Sequence, residues 1–175
     1  MRKLILLLLF ISCNNKTDEN NMQQPILNPE KVEVYLLNTL NDSRGYFKEL
    51  IIEKNLKVKF PFHVMSFSKK NIIRGLHIQT KNPQGKFVTV IKGKIFDVVI
   101  DLRKNSRKYG KHCSNILSKK NATSLYVPSG FAHGFCSLAK ESLVLYGISN
   151  YRSELNEVGI LWNDSTLNIN WPVQK

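Results

Sequence analysis

At residues 128–134 the chain reads PSGFAHG, a proline–glycine turn that leads directly into an apolar segment containing His133. A second apolar segment, RGLHIQ at residues 74–79, carries another histidine, His77. Proline and glycine mark turns, and short apolar runs bounded by turn residues are typical of β-strands. The two stretches therefore predict histidines presented on strands that follow tight turns.

From residue 32 onward the same pattern continues, with short apolar runs of high β-propensity and no helical periodicity. Only Phe47–Leu56 has the character of a short helix. The 175 residues, 42% apolar and 22% charged, fit one folded domain. The pattern predicts an all-β protein with candidate strands at Val32–Leu37, Val64–Ser68, Ile72–Gln79, Phe87–Ile91, Lys94–Leu102, Ser114–Leu117, Ser124–Val127, Gly134–Leu138 and Leu143–Ser149.

So many strands in one domain must close into a sandwich or barrel that removes free edges, and a jelly roll is the common solution at this size. The PSGFAHG stretch matches the Pro-x-Gly-x-x-His turn of the cupin jelly rolls, in which the turn points a histidine into the barrel. We therefore predict a cupin-type jelly-roll barrel with a short N-terminal helix.

The start of the chain has a different character. Two basic residues precede the apolar run Leu4–Ile11, which is far shorter than the ~20 residues that span a bilayer but fits a signal peptide. Cys13 and the polar stretch Asn14–Gln24 follow, so this start resembles a bacterial lipoprotein signal with Cys13 as the lipidated residue. The alternative is translation from Met22. In both cases we expect residues 1–24 to lie outside the fold and the domain to comprise residues 25–175.

The net charge of the chain indicates which class of ligand it is suited to bind. With 26 Lys plus Arg against 13 Asp plus Glu, the net charge of +13 favours anionic ligands. The basic residues are scattered through turns without interleaved aromatic residues, so nucleic-acid binding is not predicted. Cys113 and Cys136 could form a disulfide in an exported protein, although such thiols are more often buried as small apolar groups. No cysteine or histidine spacing typical of zinc sites is present.

One substitution decides what chemistry such a barrel can perform. Metal-binding cupins carry a His-x-His pair and then a glutamate seven residues before a glycine; here His77 is followed by Gln79, and Lys86 lies seven residues before Gly93. A cation among the ligands repels a divalent metal, so we predict a barrel without metal or other cofactor. An ammonium suits an oxyanion instead, such as the enolate formed when a carbon beside a ketone loses its proton. His77 is then the candidate base.

Several further runs, together with these motifs, closely resemble the dTDP-4-dehydrorhamnose 3,5-epimerase family. The resemblance covers residues 32–172 and implies a metal-free, homodimeric cupin jelly roll. Its activity would be to invert C3, C5 or both of a dTDP-linked 4-keto-6-deoxyhexose, in the synthesis of deoxysugar precursors for polysaccharides. The runs that carry it are Asp42–Glu49, Arg74–His77, Gln84–Lys86, Phe96–Arg103, Pro128–Phe135, Asn163–Asp164 and Trp171–Pro172.

The resemblance also implies roles for individual residues. His77 resembles the family's base, Tyr146 the acid that returns a proton from the opposite face, and Lys86 the lysine near the sugar oxygen. His133 would line the same cavity, and Arg74 would bind substrate phosphate, for which guanidinium geometry is suited.

Three further residues are candidates for binding or positioning. Arg44 and Glu49 resemble residues that help to hold the nucleotide, partly across the dimer interface. Asp97 lies on a predicted strand, and a buried carboxylate needs a partner. It is therefore a candidate for orienting a histidine, with a plain structural role as the alternative.

The chain also departs from the family pattern. Phe62 and Val64 stand where the family usually has a glutamine and an asparagine that contact ligand. The family commonly continues beyond Trp-Pro into a tail whose aspartate pairs with the base, whereas this chain stops three residues after Pro172. The signal-like start conflicts with a cytoplasmic substrate. An active product starting at Met22 is expected in the cytoplasm, and a Cys13-lipidated product would be held at the membrane by its lipid.

Two other functions remain open at this stage. A non-catalytic cupin lipoprotein that binds a sugar or a nucleotide fits the N-terminal signal and the altered Phe62 and Val64. A related metal-free ketoisomerase, which moves the keto group of the same sugar nucleotides, would also use an enolate. Tyr146 and Lys86 together favour return of a proton after enolisation, and so favour the epimerase.

Overall fold

The computed structural model describes residues 8–9, 31–51, 53 and 58–173, and their regular structure is almost entirely β-strand. The all-β prediction is confirmed. The elements are β1 (Leu8–Leu9), β2 (Glu33–Leu36), β3 (Thr39–Asp42), β4 (Gly45–Lys48), β5 (Phe62–Lys69), β6 (Ile73–Gln79), β7 (Lys86–Lys92), β8 (Lys94–Asp101), β9 (His112–Ser118), β10 (Thr123–Val127), β11 (Phe131–Ser137), β12 (Glu141–Ile148), a 3-10 helix at Glu154–Asn156, and β13 (Glu157–Gly159).

Two antiparallel sheets enclose the core. One has the strand order β1-β2-β10-β7-β12-β5 and the other the order β13-β6-β11-β8-β9. Strands β3 and β4 pair with each other as a separate hairpin. Strands distant in sequence are neighbours in both sheets, which is the connectivity of a jelly roll. The predicted cupin-type barrel is therefore confirmed.

Alternating side chains of the facing strands fill the space between the sheets. Val88 of the six-stranded sheet and Ile95 and Val99 of the five-stranded sheet are completely buried there in one apolar cluster. Burying such an aliphatic side chain contributes about 1.5–3 kcal/mol to folding. This layer holds the two sheets at a fixed separation, and the open end of the barrel becomes available for a site.

The C-terminal segment covers the outer face of the five-stranded sheet. Val98 and Ile100 alternate with the inward-facing Val99, so they point to the opposite side of the sheet. There they are buried in a second cluster, against which Ile169 and Trp171 pack. The segment thereby stabilises the sheet that carries both His77 and His133.

The N-terminal part of the chain differs from expectation in two places. The predicted short helix over Phe47–Leu56 is wrong at its start, because Phe47 and Lys48 belong to β4 and pair with β3; residues 52 and 54–57 lie outside the described residues. Residues 1–24 were expected outside the fold, yet the backbone of Leu8–Leu9 pairs antiparallel with β2. Cys13 and Met22 lie outside the described residues.

No helix within the described part of the chain is both long and apolar enough to cross a membrane.

Cys113 and Cys136 lie on opposite faces of the same sheet. Cys113 packs against the cluster between the sheets, whereas Cys136 follows the inward-facing Phe135 and so points outward. A disulfide needs Cβ atoms that point toward each other. The disulfide considered from sequence therefore does not form in this fold.

Candidate active site

A cavity of about 590 Å³ opens between the two sheets at one end of the barrel. Strands β6, β11 and β13 of one sheet and β5, β7 and β12 of the other contribute its walls. The residues that line it are Val64, Ile73, Arg74, Gly75, His77, Gln84, Lys86, His133, Gly134, Phe135, Tyr146, Ile148, Arg152 and Glu157. The fold thus brings together five of the residues selected from sequence, namely Arg74, His77, Lys86, His133 and Tyr146.

The two histidines face the cavity as cross-strand neighbours. His133 of β11 pairs in register with His77 of β6, so their side chains lie on the same face of the sheet. Gly75 and Gly134 allow these strands to approach closely, since a Cβ added to Gly75 would lie 2.6 Å from the carbonyl oxygen of His133. The register shifts just after His133.

Asp97 fixes the orientation of His133. Its Oδ2 lies 2.7 Å from Nε2 of His133, and both side chains are almost fully shielded from solvent. This direct contact with His133 supports the prediction that Asp97 orients a histidine. The second oxygen of Asp97, Oδ1, is buried without a hydrogen-bond partner among the described residues. A buried carboxylate with one free oxygen also contributes negative potential to the cavity.

Lys86 brings a cation to the same cavity. Burial lowers the pKa of the Lys86 ammonium, while the nearby carboxylates of Glu157 and Asp97 oppose that change. Among the described residues no group of three or more histidine, cysteine or acidic side chains is arranged to hold a metal ion. The cavity holds His77, His133 and the carboxylate of Glu157, but the ammonium of Lys86 lies among them and suits an oxyanion better than a divalent metal. Metal independence itself remains a prediction.

Tyr146 faces the cavity from the opposite sheet. Its hydroxyl lies 3.1 Å from Oγ of Ser66, and its ring packs edge-on against His133 with centroids 6.4 Å apart. Burial raises the pKa of Tyr146, and the negative charge of Asp97 adds to this. The phenol is therefore protonated at neutral pH and can donate a proton into the cavity.

His77 has the protonation state that a base requires. Desolvation lowers the pKa of its imidazole, with the charge of Lys86 acting in the same direction and that of Glu157 opposing both. The ring is therefore neutral near pH 7 and can accept a proton. Its Nδ1 lies 3.8 Å from Oε1 of Glu157, and half of the side chain is exposed to the cavity and solvent.

Arg74 lies at the cavity wall in a fixed orientation. Its Nε donates to Oγ of Ser68 and its Nη2 to the carbonyl oxygen of Phe67, both at 2.8 Å. Of the two residues that depart from the family pattern, Val64 lines the cavity and Phe62 packs against the ring of Tyr151 at 5.6 Å.

Arg44 and Glu49 do not join the other predicted residues. Arg44 is on the turn between β3 and β4, is largely exposed, and forms an ion pair with Asp42 at 2.6 Å. Glu49 accepts a hydrogen bond from the side chain of Asn38. Neither side chain lines the cavity of its own chain.

Sequence reasoning missed four residues of the site, namely Ser66, Gln84, Arg152 and Glu157. Arg152 donates to Glu157 at 2.8 Å, and Glu157 in turn faces His77. No spacing rule links Glu157 to His77, because β13 is only three residues long and pairs with β6 from far along the chain. The run RSELNE at residues 152–157, an arginine followed by two acidic residues, was the one local signal of a charged cluster.

Comparison with known proteins identifies the family. The sequence model of the dTDP-4-dehydrorhamnose 3,5-epimerase family matches residues 30–175. The enzyme of that name from Shigella flexneri is 43% identical over 140 residues, covering 76% of this chain and 77% of the relative. The corresponding enzyme from Methanothermobacter thermautotrophicus is 42% identical over 138 residues, with 76% and 75% coverage.

Solved structures lead to the same family. The Bacillus anthracis dTDP-4-dehydrorhamnose 3,5-epimerase with TDP and PPi bound superposes with a TM-score of 0.81 at 37% identity, covering 85% of this chain and 89% of that one. The Legionella pneumophila dTDP-6-deoxy-D-glucose-3,5-epimerase in complex with dTDP-4-keto-L-rhamnose gives a TM-score of 0.80 at 33% identity, with 86% and 85% coverage. The chain therefore belongs to the dTDP-4-dehydrorhamnose 3,5-epimerase family, and it is an isomerase.

Proposed function

We propose that this protein inverts C3, C5 or both of a dTDP-linked 4-keto-6-deoxyhexose. The observation that carries the proposal is the placement of His77 and Tyr146 on opposite sheets, facing one cavity that also contains the ammonium of Lys86. Removal of a proton from one face of a carbon and its return to the other face inverts that carbon. Two proton-transfer groups on opposite walls are what such a reaction needs.

His77 begins the reaction by removing the proton from the carbon beside the keto group. The C–H bond breaks, its electron pair forms the carbon–carbon double bond, and the carbonyl electrons move onto oxygen. Lys86 stabilises the resulting enolate with its charge. Tyr146 then donates its proton to the opposite face of the carbon as the carbonyl forms again. Proton exchange with solvent restores neutral His77 and Tyr146.

Two further cavity residues, Arg74 and His133, serve binding. Arg74, with its guanidinium held at the cavity wall, is suited to a phosphate of the nucleotide. His133, fixed by Asp97, presents a rigid polar edge toward the sugar. The solved relatives named above hold TDP with PPi or dTDP-4-keto-L-rhamnose, which supports a nucleotide-linked sugar as the ligand.

We also propose a homodimer in which Arg44 and Glu49 contribute to nucleotide binding. The hairpin that carries Arg44 stands apart from its own chain's cavity and exposes Tyr46 and Phe47. Strand β5 is an edge strand whose outer face exposes Met65. An unpaired edge with apolar side chains favours association with a second chain, which would place Arg44 near the partner's cavity.

The proposed substrate bears a charged diphosphate, which does not cross a bilayer unaided, so the proposed place of action is the cytoplasm. We propose that the active product begins at Met22, followed by one domain over residues 25–175. A product lipidated on Cys13 would be separated from the substrate. Mass spectrometry of the native N-terminus distinguishes the two, and an active, lipidated enzyme that the pathway requires would contradict the proposal.

The activity is tested by incubating the protein with dTDP-4-keto-6-deoxyhexose in heavy water and following the ring protons by NMR. Wild type should exchange and invert the protons at C3, C5 or both. His77→Asn should abolish exchange, whereas the control His112→Asn, on β9 and outside the cavity lining, should not. Tyr146→Phe should retain proton loss but fail in correct return.

Other outcomes would identify a different function. Ligand binding without exchange would support the non-catalytic cupin, and movement of the keto group would support a ketoisomerase. General acid or base catalysis is worth ~10²–10⁴ in rate, so each loss is easily measured. Unchanged exchange in His77→Asn would show that another group is the base.

A further inference from the structure

Glu157 is the one acidic side chain that approaches the ring of the candidate base among the described residues. Its Oε1 lies 3.8 Å from Nδ1 of His77, and the pairing of β13 with β6 places the two strands side by side. A separation of 3.8 Å is too long for a hydrogen bond but short enough for the carboxylate to favour a positive charge on the ring. A small rotation of either side chain would close the gap.

Arg152 holds Glu157 in this orientation. Its Nε donates to Oε2 of Glu157 at 2.8 Å, and its Nη1 lies 3.2 Å from the carboxylate of Glu154. With Oε2 engaged in this way, Oε1 is the oxygen directed at His77. The carboxylate is mostly shielded from solvent, with 26% of its side chain exposed, so its charge is only partly screened.

We propose that Glu157, held by Arg152, is the positioning carboxylate of His77. In this arrangement Glu157 accepts a hydrogen bond from Nδ1–H of His77 when substrate is bound, and the ring keeps that proton while Nε2 receives the proton from carbon. The imidazolium formed in that step is stabilised by the adjacent negative charge. The inference rests on the proposed function, in which His77 is the base, and it names the group that keeps the ring in the productive tautomer.

The charged groups around His77 show why this carboxylate matters. Lys86 from β7, Arg152 from the segment before β13 and His133 from β11 all favour the neutral ring, as does desolvation. Glu157 acts against all of them. Without Glu157 the ring would remain neutral but would be a much weaker acceptor of a proton.

The first test is a direct NMR titration of the ring protons and nitrogens of His77 without substrate. Glu157→Gln should lower the pKa of His77 by about 0.5–1 and reduce the fraction of the tautomer with the proton on Nδ1. Glu157→Asp should restore part of both. The matched control Glu154→Gln removes the other, more exposed partner of Arg152 and should change neither.

The second test measures catalysis in the same variants. Glu157→Gln should lower kcat by about 10–100-fold, the range typical of groups that orient a reacting side chain, with little change in KM. The acid limb of its pH profile should move to lower pH. An unchanged pKa and tautomer of His77 in Glu157→Gln would overturn the inference, as would an unchanged kcat. A wild-type protein without exchange activity would instead contradict the proposed function, and the NMR titration would still report on the His77–Glu157 pair.

Discussion

In the proposed mechanism Lys86 supplies the positive charge that stabilises the enolate. Its ammonium sits on the wall formed by β7, diagonally across from Tyr146 on the neighbouring strand β12. Strand β7 lies between β10 and β12, and Lys86, which is partly buried at its start, lines the cavity. A cation held in this way stabilises charge that develops on the substrate without reorganising during the reaction.

Replacing this cation should therefore slow the reaction strongly. We expect Lys86→Met to lower kcat by about 10²–10³, the usual cost of losing one oxyanion-stabilising group. Lys94→Met, at the exposed start of β8, is the matched control and should retain wild-type kcat. Steady-state kinetics of the two variants provides the comparison, and equal activity would remove Lys86 from the mechanism.

The pH dependence of kcat/KM follows from the shifted pKa values of two groups. His77 must be neutral to act, and desolvation lowers its pKa, so the acid limb should lie below 6.5. Lys86 must be protonated, and burial lowers its pKa. The alkaline limb of the profile, on which activity falls as the pH rises, should therefore lie below 10.5. The raised pKa of Tyr146 keeps the phenol protonated over this range. An acid limb above 6.5 would contradict this account of His77.

Removal of metal ions should leave activity unchanged, since Lys86 occupies the position where metal-binding cupins carry a carboxylate. The check is to assay the protein after dialysis against EDTA and to measure its metal content. Activity that disappears with EDTA and returns with one divalent ion would show that the cavity works as a metal site after all.

At the scale of elements, the contact between β6 and β11 positions the histidines. A Cβ at Gly134 would lie 2.6 Å from the backbone oxygen of Arg74, a position that only backbone movement could relieve. We expect Gly134→Ala to lower the free energy of unfolding by about 1–3 kcal/mol, the usual cost of overpacking.

Gly159→Ala is the matched control for this substitution. Its added Cβ would meet nothing closer than Cδ2 of His77 at 3.9 Å, so stability should change by less than about 0.5 kcal/mol. Urea denaturation of both variants measures the difference. Equal stability would mean that β6 and β11 separate at little cost.

The sequence predicted the strands that have a clear apolar run and missed three short strands that lack one. The eight- and seven-residue strands β8 and β11 were recognisable because their apolar content and flanking turns are strong local signals. Strands β3, β4 and β13 have three or four residues, too few for alternation to show. The helix expected at Phe47 was wrong for this reason, because a hairpin of two short strands has no periodicity of its own.

The same limit explains what was found in the site. His77, Lys86 and His133 lie within motifs whose spacing reflects the geometry of the barrel, so they could be identified before the fold was known. Glu157 reaches His77 only through a long-range strand pairing. No local sequence motif indicates that contact.

For the whole molecule, the separation of Arg44 from its own cavity predicts complementation between inactive chains. Arg44→Glu and His77→Asn should each be poorly active alone. In a mixed dimer the His77-containing cavity would receive the intact Arg44 of its partner. In a random mixture half of the dimers are mixed, and each mixed dimer has one intact site out of two. About a quarter of wild-type activity should therefore return. No recovery after mixing would place Arg44 outside the partner's site.

The exposed hairpin of β3 and β4 therefore has a kinetic consequence. If a working site needs a hairpin from another chain, the number of working sites obeys mass action. In very dilute solution the rate would increase with the square of the enzyme concentration, and progress curves would begin with a lag while chains associate. An excess of His77→Asn protein, itself inactive, would then activate a trace of wild type by supplying hairpins.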